Sequence, residues 1–415
     1  RSCRNCLSIS YSTLMNKVIN FGCRLNNFEG KKIEELLPQK DEPVIVINSC
    51  AVTNETERQV RQTIRKIKKQ NPNSKLVLTG CAAQISPSTY NQMKEVDHLV
   101  DNINKLKPEA WNNIFDENPE DNFIQDIFDK VNDAAPTLQG ESHKARESLV
   151  IQQGCNHRCT FCIIPFGRGN NRSFDPQFLI NEVRRIVDKG VKEIVLTGVD
   201  ISDYGSDFDS HYCMSELIMD ILNETKLKRI RLSSIDCVEI DKHFDQVIQD
   251  PRVMPHLHLS IQAGDNMILK RMKRRHNADD VRNFVQHCRS LRRDITFGAD
   301  IIAGFPTETD EMFYNTYKLL QECKISHLHI FPFSPKKNTP AARMPQLQKS
   351  IIKQRAHKLR KLGEELLDEV KKELYLPRKV LIEEVHTGAV VGYDQNYIKH
   401  QIPMIGLPIG EIVTA

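Results

Sequence analysis

The sequence lacks the features that would place the chain in a membrane or outside the cell. No run approaches the roughly 18 consecutive apolar residues that a membrane-spanning helix needs. The first residues, RSCRNCLSISYSTLMNKVINF, have neither the apolar core nor the small-residue cleavage site of a signal peptide. Tryptophan occurs once, and the net charge of +4 is too small to indicate a polyanion partner by itself. We therefore expect a globular protein of the cytoplasm, with no membrane partner.

Cysteine, in contrast, is abundant. The chain has 12 cysteines, and because cytoplasmic conditions keep thiols reduced, metal binding or catalysis explains them better than disulfides. Three of them, Cys155, Cys159 and Cys162, lie in one loop with the spacing CxxxCxxC. Three such thiolates can bind three irons of a [4Fe–4S] cluster and leave the fourth iron open. A structural zinc ion would need a fourth protein ligand, for which His157 is the candidate.

Strand and helix patterns alternate in the first part of the chain. Apolar runs at 43–50, 75–81 and 96–100 surround a helical pattern at 55–70, which predicts a parallel, Rossmann-like α/β domain over residues 17–106. In such sheets, ligands collect at the carboxyl ends of the strands. Three cysteines follow apolar segments in this block, and we expect them at one edge of the sheet: Cys23, Cys50 and Cys81.

After an acidic connecting stretch at 107–145, the alternation resumes and continues to residue 345. The predicted strands are 148–154, 192–198, 229–234, 256–261, 295–304 and 327–333. Six successive strand–helix units indicate a partial TIM barrel, (β/α)6, at 146–345, with a flat doubly wound sheet as the alternative. A charged connecting helix at 346–374 precedes short strands and turns at 375–415, which indicate a small all-β domain. Residues 1–16 are expected to be a leader or a misassigned start.

Nine ordered motifs of the chain resemble those of the radical S-adenosylmethionine (SAM) methylthiotransferases. They are FGCRLNNFE (21–29), INSCAVTNE (47–55), LTGCAAQ (78–84), QQGCNHRCTFCIIPFGRG (152–169), EIVLTGVDISDYG (193–205), RIRLSSID (229–236), HLHLSIQAGDNMILKRMKR (256–274), DIIAGFPTET (300–309) and HIFPFSPKKNTPAARM (329–344). CNHRCTFC is similar to the motif with which this superfamily holds a [4Fe–4S] cluster and cleaves SAM to a 5′-deoxyadenosyl radical. The resemblance covers residues 17 to 415, and the C-terminal module looks like the TRAM domain of that family.

The resemblance implies roles for individual residues. Cys155, Cys159 and Cys162 match the ligands of the radical-generating cluster. A second set matches the ligands of an auxiliary [4Fe–4S] cluster, where sulfur is carried and methylated: Cys23, Cys50 and Cys81. Six residues occupy positions implied to contact SAM: Phe161, Gly198, Asp200, Ser234, Gln262 and Asp300. An electron donor such as flavodoxin or ferredoxin is implied as well, and the sulfur donor stays unknown.

The motif CAVTNE (50–55) most resembles the branch that acts on N6-threonylcarbamoyladenosine at position 37 of tRNA, next to the anticodon. That branch replaces the C2–H of adenine by a methylthio group. Recognition of an anticodon stem-loop would rely on phosphate contacts and on stacking of loop bases. The candidate RNA contacts are the basic segments 270–275 and 349–361 and, in the C-terminal module, Tyr393, Asn396, Tyr397 and Lys399. The alternatives are isopentenyladenosine as the substrate and, from another class, a zinc-stabilised RNA-binding protein.

Overall fold

The computed structural model of the protein describes residues 16–38, 40, 42–115, 124–129, 145–374, 377–403 and 406–415. The chain forms two compact units, one of residues 1–51 and 55–129 and the other of residues 52–54 and 130–415. Among the helices of the described residues, none is both long and apolar enough to cross a membrane. Apart from its last residue, the expected leader lies outside the described residues.

The first unit contains the parallel sheet that its sequence predicts. The strands are β1 (Lys17–Asn20), β2 (Val44–Ser49), β3 (Lys75–Gly80) and β4 (His98–Leu99), which pair in this order and all in parallel. The helices are α1 (Arg24–Leu36), α2 (Asn54–Gln70), α3 (Cys81–Ile85), α4 (Pro87–Asn91) and α5 (Pro108–Asn112). The stretch predicted as a connector thus begins with α5, whose Trp111 is buried in the core of this sheet beside Val46 and Val77.

The second unit begins with a parallel α/β domain, as the six strand–helix units predict. One sheet holds β5 (Arg146–Val150), β8 (Glu193–Thr197) and β9 (Arg229–Leu232), and the next holds β10 (Ser234–Ile235), β11 (His256–Gln262), β12 (Thr296–Ala303) and β13 (Ile325–Pro332). Only Ser233 separates β9 from β10, so one sheet leads directly into the other. A short antiparallel ribbon of β6 (Gln152–Gln153) and β7 (Arg172–Ser173) flanks the CxxxCxxC loop.

Helices lie between the strands of this domain, and a long helix follows β13. They are α6 (Ile164–Arg168), α7 (Pro176–Asp188), α8 (Met214–Glu224), α9 (Phe244–Gln249), α10 (Asn266–Met272), α11 (Ala278–Leu291), α12 (Asp310–Glu322) and α13 (Lys349–Glu373). Side chains cap several of them: Asp175 accepts a hydrogen bond from the N–H of Phe178, and Asn277 forms a capping box with Asp280. Such caps satisfy backbone donors that the first helical turn leaves unpaired.

The C-terminal module is a four-stranded antiparallel sheet. Its strands are β14 (Lys379–His386), β15 (Ala389–Tyr393), β16 (Lys399–Ile402) and β17 (Ile412–Thr414), in the order β16-β15-β14-β17. Asn396 Nδ2 donates to the carbonyl oxygen of Pro255 at 2.9 Å, immediately before β11. This carbonyl lies at the amino-terminal end of a parallel strand. The module therefore packs against the end of the domain that is opposite the CxxxCxxC loop.

This junction changes the interpretation of the predicted RNA contacts in the module. Asn396 is fully buried, and the Tyr397 hydroxyl accepts a hydrogen bond from Arg146 Nη1 at 2.6 Å. The Arg231 guanidinium also lies over the Tyr397 ring, 4.5 Å from its centroid. Asn396 and Tyr397 therefore serve packing within the second unit, while Lys399 is exposed.

Candidate active site

Cys23, Cys50 and Cys81 meet at the carboxyl edge of the first unit's sheet. β1 and β3 both pair in register with the intervening β2, so the turns that follow the three strands lie side by side. A Cβ built on Gly22 would fall 2.6 Å from Cys50 Sγ, which shows how closely the Cys23 turn approaches the Cys50 turn. Cys23 is exposed and the other two are buried. The structure thus brings together the trio expected from the strand ends.

Asn26 fastens two of these cysteine turns to each other. Its Nδ2 donates to the carbonyl oxygen of Phe21 at 2.8 Å and to that of Ser49 at 2.9 Å. These carbonyls precede Cys23 and Cys50 in the chain, so one buried amide sets the spacing of both turns. The sequence analysis missed Asn26, although an asparagine beside buried apolar residues on one face of a predicted helix is a usable signal.

A second amide contacts the third cysteine of this trio. Asn102 Nδ2 donates to Cys81 Sγ at 3.8 Å. Deeper in the unit, Lys105 Nζ and Glu29 Oε2 form an ion pair at 2.6 Å in which both side chains are almost completely buried. The pair joins α1 to the segment after β4, and so holds the element that follows Cys23 against the segment that carries Asn102.

The second trio lies on the loop between β6 and α6. Cys155, Cys159 and Cys162 are all partly buried, and the N–H of His157 donates to Cys155 Sγ at 3.4 Å. Such backbone donors stabilise the thiolates that bind iron–sulfur clusters. Burial raises the pKa of Cys155 to about 12 and that of Cys162 to about 12. Both thiols therefore need a metal cation to become thiolates at neutral pH.

The path of this loop depends on a glycine and on the end of α10. Gly154 has a φ of +71°, and a Cβ there would lie 1.8 Å from the carbonyl oxygen of Asn170, so no other residue fits. Thr160 donates from its backbone N–H to Met272 O at 3.0 Å and from Oγ1 to Arg271 O at 2.8 Å. The loop is thereby held against the carboxyl end of α10.

A zinc site and a cluster site differ in the spacing that they require between ligand atoms. Thiolates on one zinc ion lie about 2.3 Å from the metal and hence roughly 3.8 Å from one another. In the part of the chain that the structure describes, the sets with ligand atoms within 4.8 Å are Cys155–His157–Asp200, Asp236–Cys237–His276 and His258–Asp300–His329. Neither cysteine trio is among them. A cluster takes each thiolate on a different iron, so it does not require three sulfur atoms this close to one another.

His157, the candidate fourth zinc ligand, contacts two carboxylates. Its Nε2 lies 3.1 Å from Asp200 Oδ2 and 3.1 Å from Glu239 Oε2. Cys155 Sγ lies 3.9 Å from the same Asp200 oxygen. The histidine therefore ties the CxxxCxxC loop to the ends of neighbouring strands.

The six residues implied to contact SAM lie around the loop and the carboxyl halves of the strands. Phe161 is in the loop, Gly198 and Asp200 follow β8, and the others are Ser234 in β10, Gln262 at the end of β11 and Asp300 in β12. Gln152 links the loop to β8, because its Oε1 accepts from the N–H of Asp200 at 3.0 Å. Phe161 packs edge-to-face on Phe305 with ring centroids 6.4 Å apart.

Two histidines that the sequence analysis missed hold Asp300. His258 Nε2 and His329 Nδ1 contact the same carboxylate oxygen at 3.0 and 3.2 Å. Burial would raise the pKa of Asp300, but the hydrogen bonds with these histidines outweigh it and keep the pKa well below its usual value. Gly298 makes room for them, since a Cβ there would lie 2.5 Å from His258 Nδ1. The signal was the alternation of histidine with apolar residues in HLHLS and HLHIF, which places these side chains on one face.

Comparison with known proteins supports this description. The chain matches the Radical SAM superfamily over residues 149–320 and the family described as "Uncharacterized protein family UPF0004" over residues 16–101. A solved structure of the radical SAM methyltransferase TsrM from Kitasatospora setae shares the fold, with a TM-score of 0.54 over 77% of this chain and 67% of that chain. At 12% identity, this likeness concerns the fold alone.

Relatives of known name match almost the whole chain. The threonylcarbamoyladenosine tRNA methylthiotransferase MtaB of Rickettsia prowazekii is 42% identical over 98% of this chain and 96% of its own length. The protein of the same name from Bacillus subtilis is 33% identical over 94% of this chain and 91% of its own length. The chain belongs to the MtaB family of radical SAM tRNA methylthiotransferases.

Proposed function

We propose that the chain converts N6-threonylcarbamoyladenosine at position 37 of tRNA to its 2-methylthio derivative. The observation that carries this proposal is the presence of two cysteine trios, one at the carboxyl edge of a parallel sheet and one on a single loop, in a chain whose relatives are named for this substrate. One trio alone would account for radical formation. The second trio supplies a separate site at which sulfur can be held.

The residues would divide the cofactors between the two units. Cys155, Cys159 and Cys162 would hold the radical-generating [4Fe–4S] cluster, and the first unit's trio, Cys23, Cys50 and Cys81, would hold the auxiliary one. When bound, the clusters supply an electron for cleavage of SAM and a place to carry sulfur. The electron would come from a donor of the flavodoxin or ferredoxin class in the cytoplasm.

The protein's own side chains would orient SAM beside the loop. Phe161 directly precedes the last cysteine in the chain, and Asp200 Oδ2 lies 3.9 Å from Cys155 Sγ. Ser234 Oγ donates to Asp300 Oδ2 at 3.2 Å, so these two side chains would contact SAM together. Gln262 and Gly198 lie at the ends of neighbouring strands and would complete the SAM site. The fixed hydrogen bonds to Asp300 keep its carboxylate from rotating, so it would present one constant acceptor edge.

Within this function we assign domains by family resemblance. Residues 17–106 would form the N-terminal methylthiotransferase domain, 107–145 a linker that begins with α5 packed on that domain, 146–345 a (β/α)6 part-barrel, 346–374 the connecting helix, and 375–415 a TRAM-like domain. The consecutive parallel strands and the antiparallel C-terminal sheet support this division.

The solvent face of α13 would bind the phosphates of the tRNA. Lys349, Lys353 and Arg360 are exposed, and their spacing of four and eleven residues puts them on one helical face. Residues 349–361 contain no Asp or Glu. Among the described residues, neither Lys349 nor Lys353 has an ion-pair or hydrogen-bond partner. An exposed row of cations with no carboxylate in the same segment fits a nucleic-acid backbone.

The mass spectrum of tRNA nucleosides tests the reaction directly. In cells that lack the gene, 2-methylthio-N6-threonylcarbamoyladenosine should disappear, while its unmodified precursor should accumulate and the methylthiolated isopentenyladenosine should stay. Loss of the isopentenyl product instead would assign the chain to the other substrate. Unchanged levels of both products, or protein that carries stoichiometric zinc and no iron, would refute the enzymatic proposal.

A further inference from the structure

The chain turns back sharply after α10 and carries a guanidinium to the CxxxCxxC loop. Lys273 adopts the left-handed conformation with a φ of +61°, and the N–H of Arg274 donates to Leu269 O at 2.9 Å. This reversal directs the Arg274 side chain toward the loop. Its Nη1 donates to Cys159 Sγ at 3.7 Å, a normal separation for a hydrogen bond to sulfur.

Two further acceptors hold the guanidinium in this orientation. Arg274 Nη2 donates to Asp236 Oδ2 at 2.6 Å and to the carbonyl oxygen of Ser260 at 2.7 Å. The arginine side chain is only 8% exposed and that of Asp236 only 3%, so water screens the charge weakly. A guanidinium does not lose its proton in proteins. The fold therefore fixes a permanent positive charge and an N–H donor at one cysteine of the trio.

We propose that Arg274 raises the reduction potential of the cluster held by Cys155, Cys159 and Cys162, and that Asp236 is its positioning residue. The inference rests on the proposed function, because that function assigns a cluster to this trio. Reduction adds one electron to the cluster, and a charge-assisted hydrogen bond to a ligating sulfur stabilises the more negative form. Asp236 accepts from Nη2 of the guanidinium, so that Nη1–H, and not the carboxylate, faces the sulfur.

This role matters for the source of the electron. A cluster with a more positive potential accepts an electron more readily from a weakly reducing protein donor. Without the Arg274 contact, a strong chemical reductant should still reduce the cluster, while reduction by a flavodoxin-type protein should become unfavourable. The two reductants therefore separate an altered potential from a damaged site.

Redox titration followed by electron paramagnetic resonance (EPR) tests the proposal. The full-length chain with Cys23, Cys50 and Cys81 replaced by Ala would carry only the cluster in question, and SAM is left out. Arg274→Gln should lower the equilibrium constant for reduction at least tenfold, which for one electron is a shift of about 59 mV to more negative potential. Arg274→Lys keeps the positive charge but not the planar guanidinium with its two nitrogens. Its midpoint potential should therefore lie between those of the parent chain and Arg274→Gln.

Arg275→Gln is the matched control. Arg275 contacts Asp236 at 3.3 Å, pairs with Glu239 and contacts the imidazole of His157 in the loop, and among the described residues it donates to no thiol. Its removal deletes a neighbouring positive charge without the N–H···S contact, so the reduction equilibrium should change less than threefold. Equal shifts in Arg274→Gln and Arg275→Gln would overturn the proposal. The potential would then depend on the net charge of the region and not on the N–H···S contact.

The remaining outcomes separate this inference from the proposed function. If the parent chain shows no [4Fe–4S] signal after reconstitution, the proposed function itself fails. If the signal is present but both Arg274 variants keep the parent midpoint, only the role of Arg274 is overturned. Should Arg274→Gln fail to retain iron, the midpoint of Arg274→Lys decides. An unchanged midpoint with weakened SAM binding would assign the guanidinium to the SAM carboxylate instead.

Discussion

Arg231 of β9 donates from Nη2 to the main-chain oxygen of Asp394 at 2.6 Å, and so fastens the parallel α/β domain to the C-terminal sheet. The same guanidinium donates from Nε to Glu193 Oε1 at 2.7 Å. Both charged side chains are buried, with 2% and 0% exposure. The C-terminal sheet is therefore attached through a buried charge network, and we expect it to unfold together with the domain beneath it.

Replacing Arg231 by Ala should destabilise the protein strongly. The substitution removes the bond to Asp394 and deprives the buried Glu193 of a direct partner, and breaking a buried pair in this way costs about 3–5 kcal/mol. Urea denaturation gives the change in free energy of unfolding. The control is Arg184→Ala, which breaks the exposed pair with Glu224 and should cost less than about 1 kcal/mol. Similar losses in both variants would contradict the importance of the buried network.

The free energy of unfolding at acid pH should depend on the ionisation of Glu193. Burial would raise its pKa, but Arg231, Arg146 and Arg229 outweigh this and lower the pKa from the ordinary value of 4.5. A carboxylate with a depressed pKa stabilises the fold fully above 4.5, and the contribution disappears as the pH falls through the folded-state pKa. The free-energy difference between the natural chain and Glu193→Gln should therefore shrink at acid pH. A difference that is independent of pH would argue against an ionised Glu193.

Variants of the two cysteine trios should each lose one cluster, and they should differ from each other in their products. Cys159→Ala should abolish SAM cleavage to 5′-deoxyadenosine, and Cys50→Ala should retain some cleavage but form no methylthio nucleoside. Each variant should lose about half of the eight or so irons expected from two [4Fe–4S] clusters. Iron analysis and product quantification under anaerobic conditions check both expectations. Unchanged methylthio product in Cys50→Ala would refute the division of labour.

Asn26→Ala should weaken the auxiliary site alone. Without the amide that bonds to the carbonyls before Cys23 and Cys50, the two turns lose their common anchor, and the unpaired carbonyl groups cost about 1–3 kcal/mol. We expect lower iron content and less methylthio product, with SAM cleavage preserved. The neighbouring Asn27 is exposed, so Asn27→Ala is the matched control and should behave like the natural chain. Equal iron loss in both variants would assign no special role to Asn26.

The basic face of α13 should contribute to the salt dependence of tRNA binding. Neutralising Lys349 and Lys353 as a double Gln variant should reduce the slope of log affinity against log salt by between about 1 and 2, because each phosphate contact contributes roughly 0.7–0.9. The control is the double Gln variant of Lys371 and Lys372, at the other end of the same helix. Filter binding to unmodified tRNA across a salt series measures the slope. Equal slopes in the two variants would contradict a binding surface at 349–361.

Much of this architecture could be predicted from local patterns. The alternation of short β-branched runs with amphipathic helices predicts parallel layers, and a strand end followed by cysteine places Cys50 and Cys81 side by side before any tertiary information. The spacing of Cys155, Cys159 and Cys162 within eight residues likewise predicts a metal-cluster site from the local sequence. These inferences succeed because hydrophobic periodicity and short-range spacing are properties of contiguous residues.

Tertiary structure alone decided the partners of these groups. Arg274 reaches Cys159 across 115 positions in the chain, and Asn26 bonds to Ser49 across 23, distances over which no periodic signal extends. The same applies to Tyr397, which looked available for RNA until the junction with Arg146 placed it in a packed interface. Local sequence patterns were enough to predict the strands of the parallel sheets and the two places where the cysteines lie together. Only the three-dimensional packing, which excludes water and fixes charges against distant neighbours, decided which arginines, amides and histidines surround them.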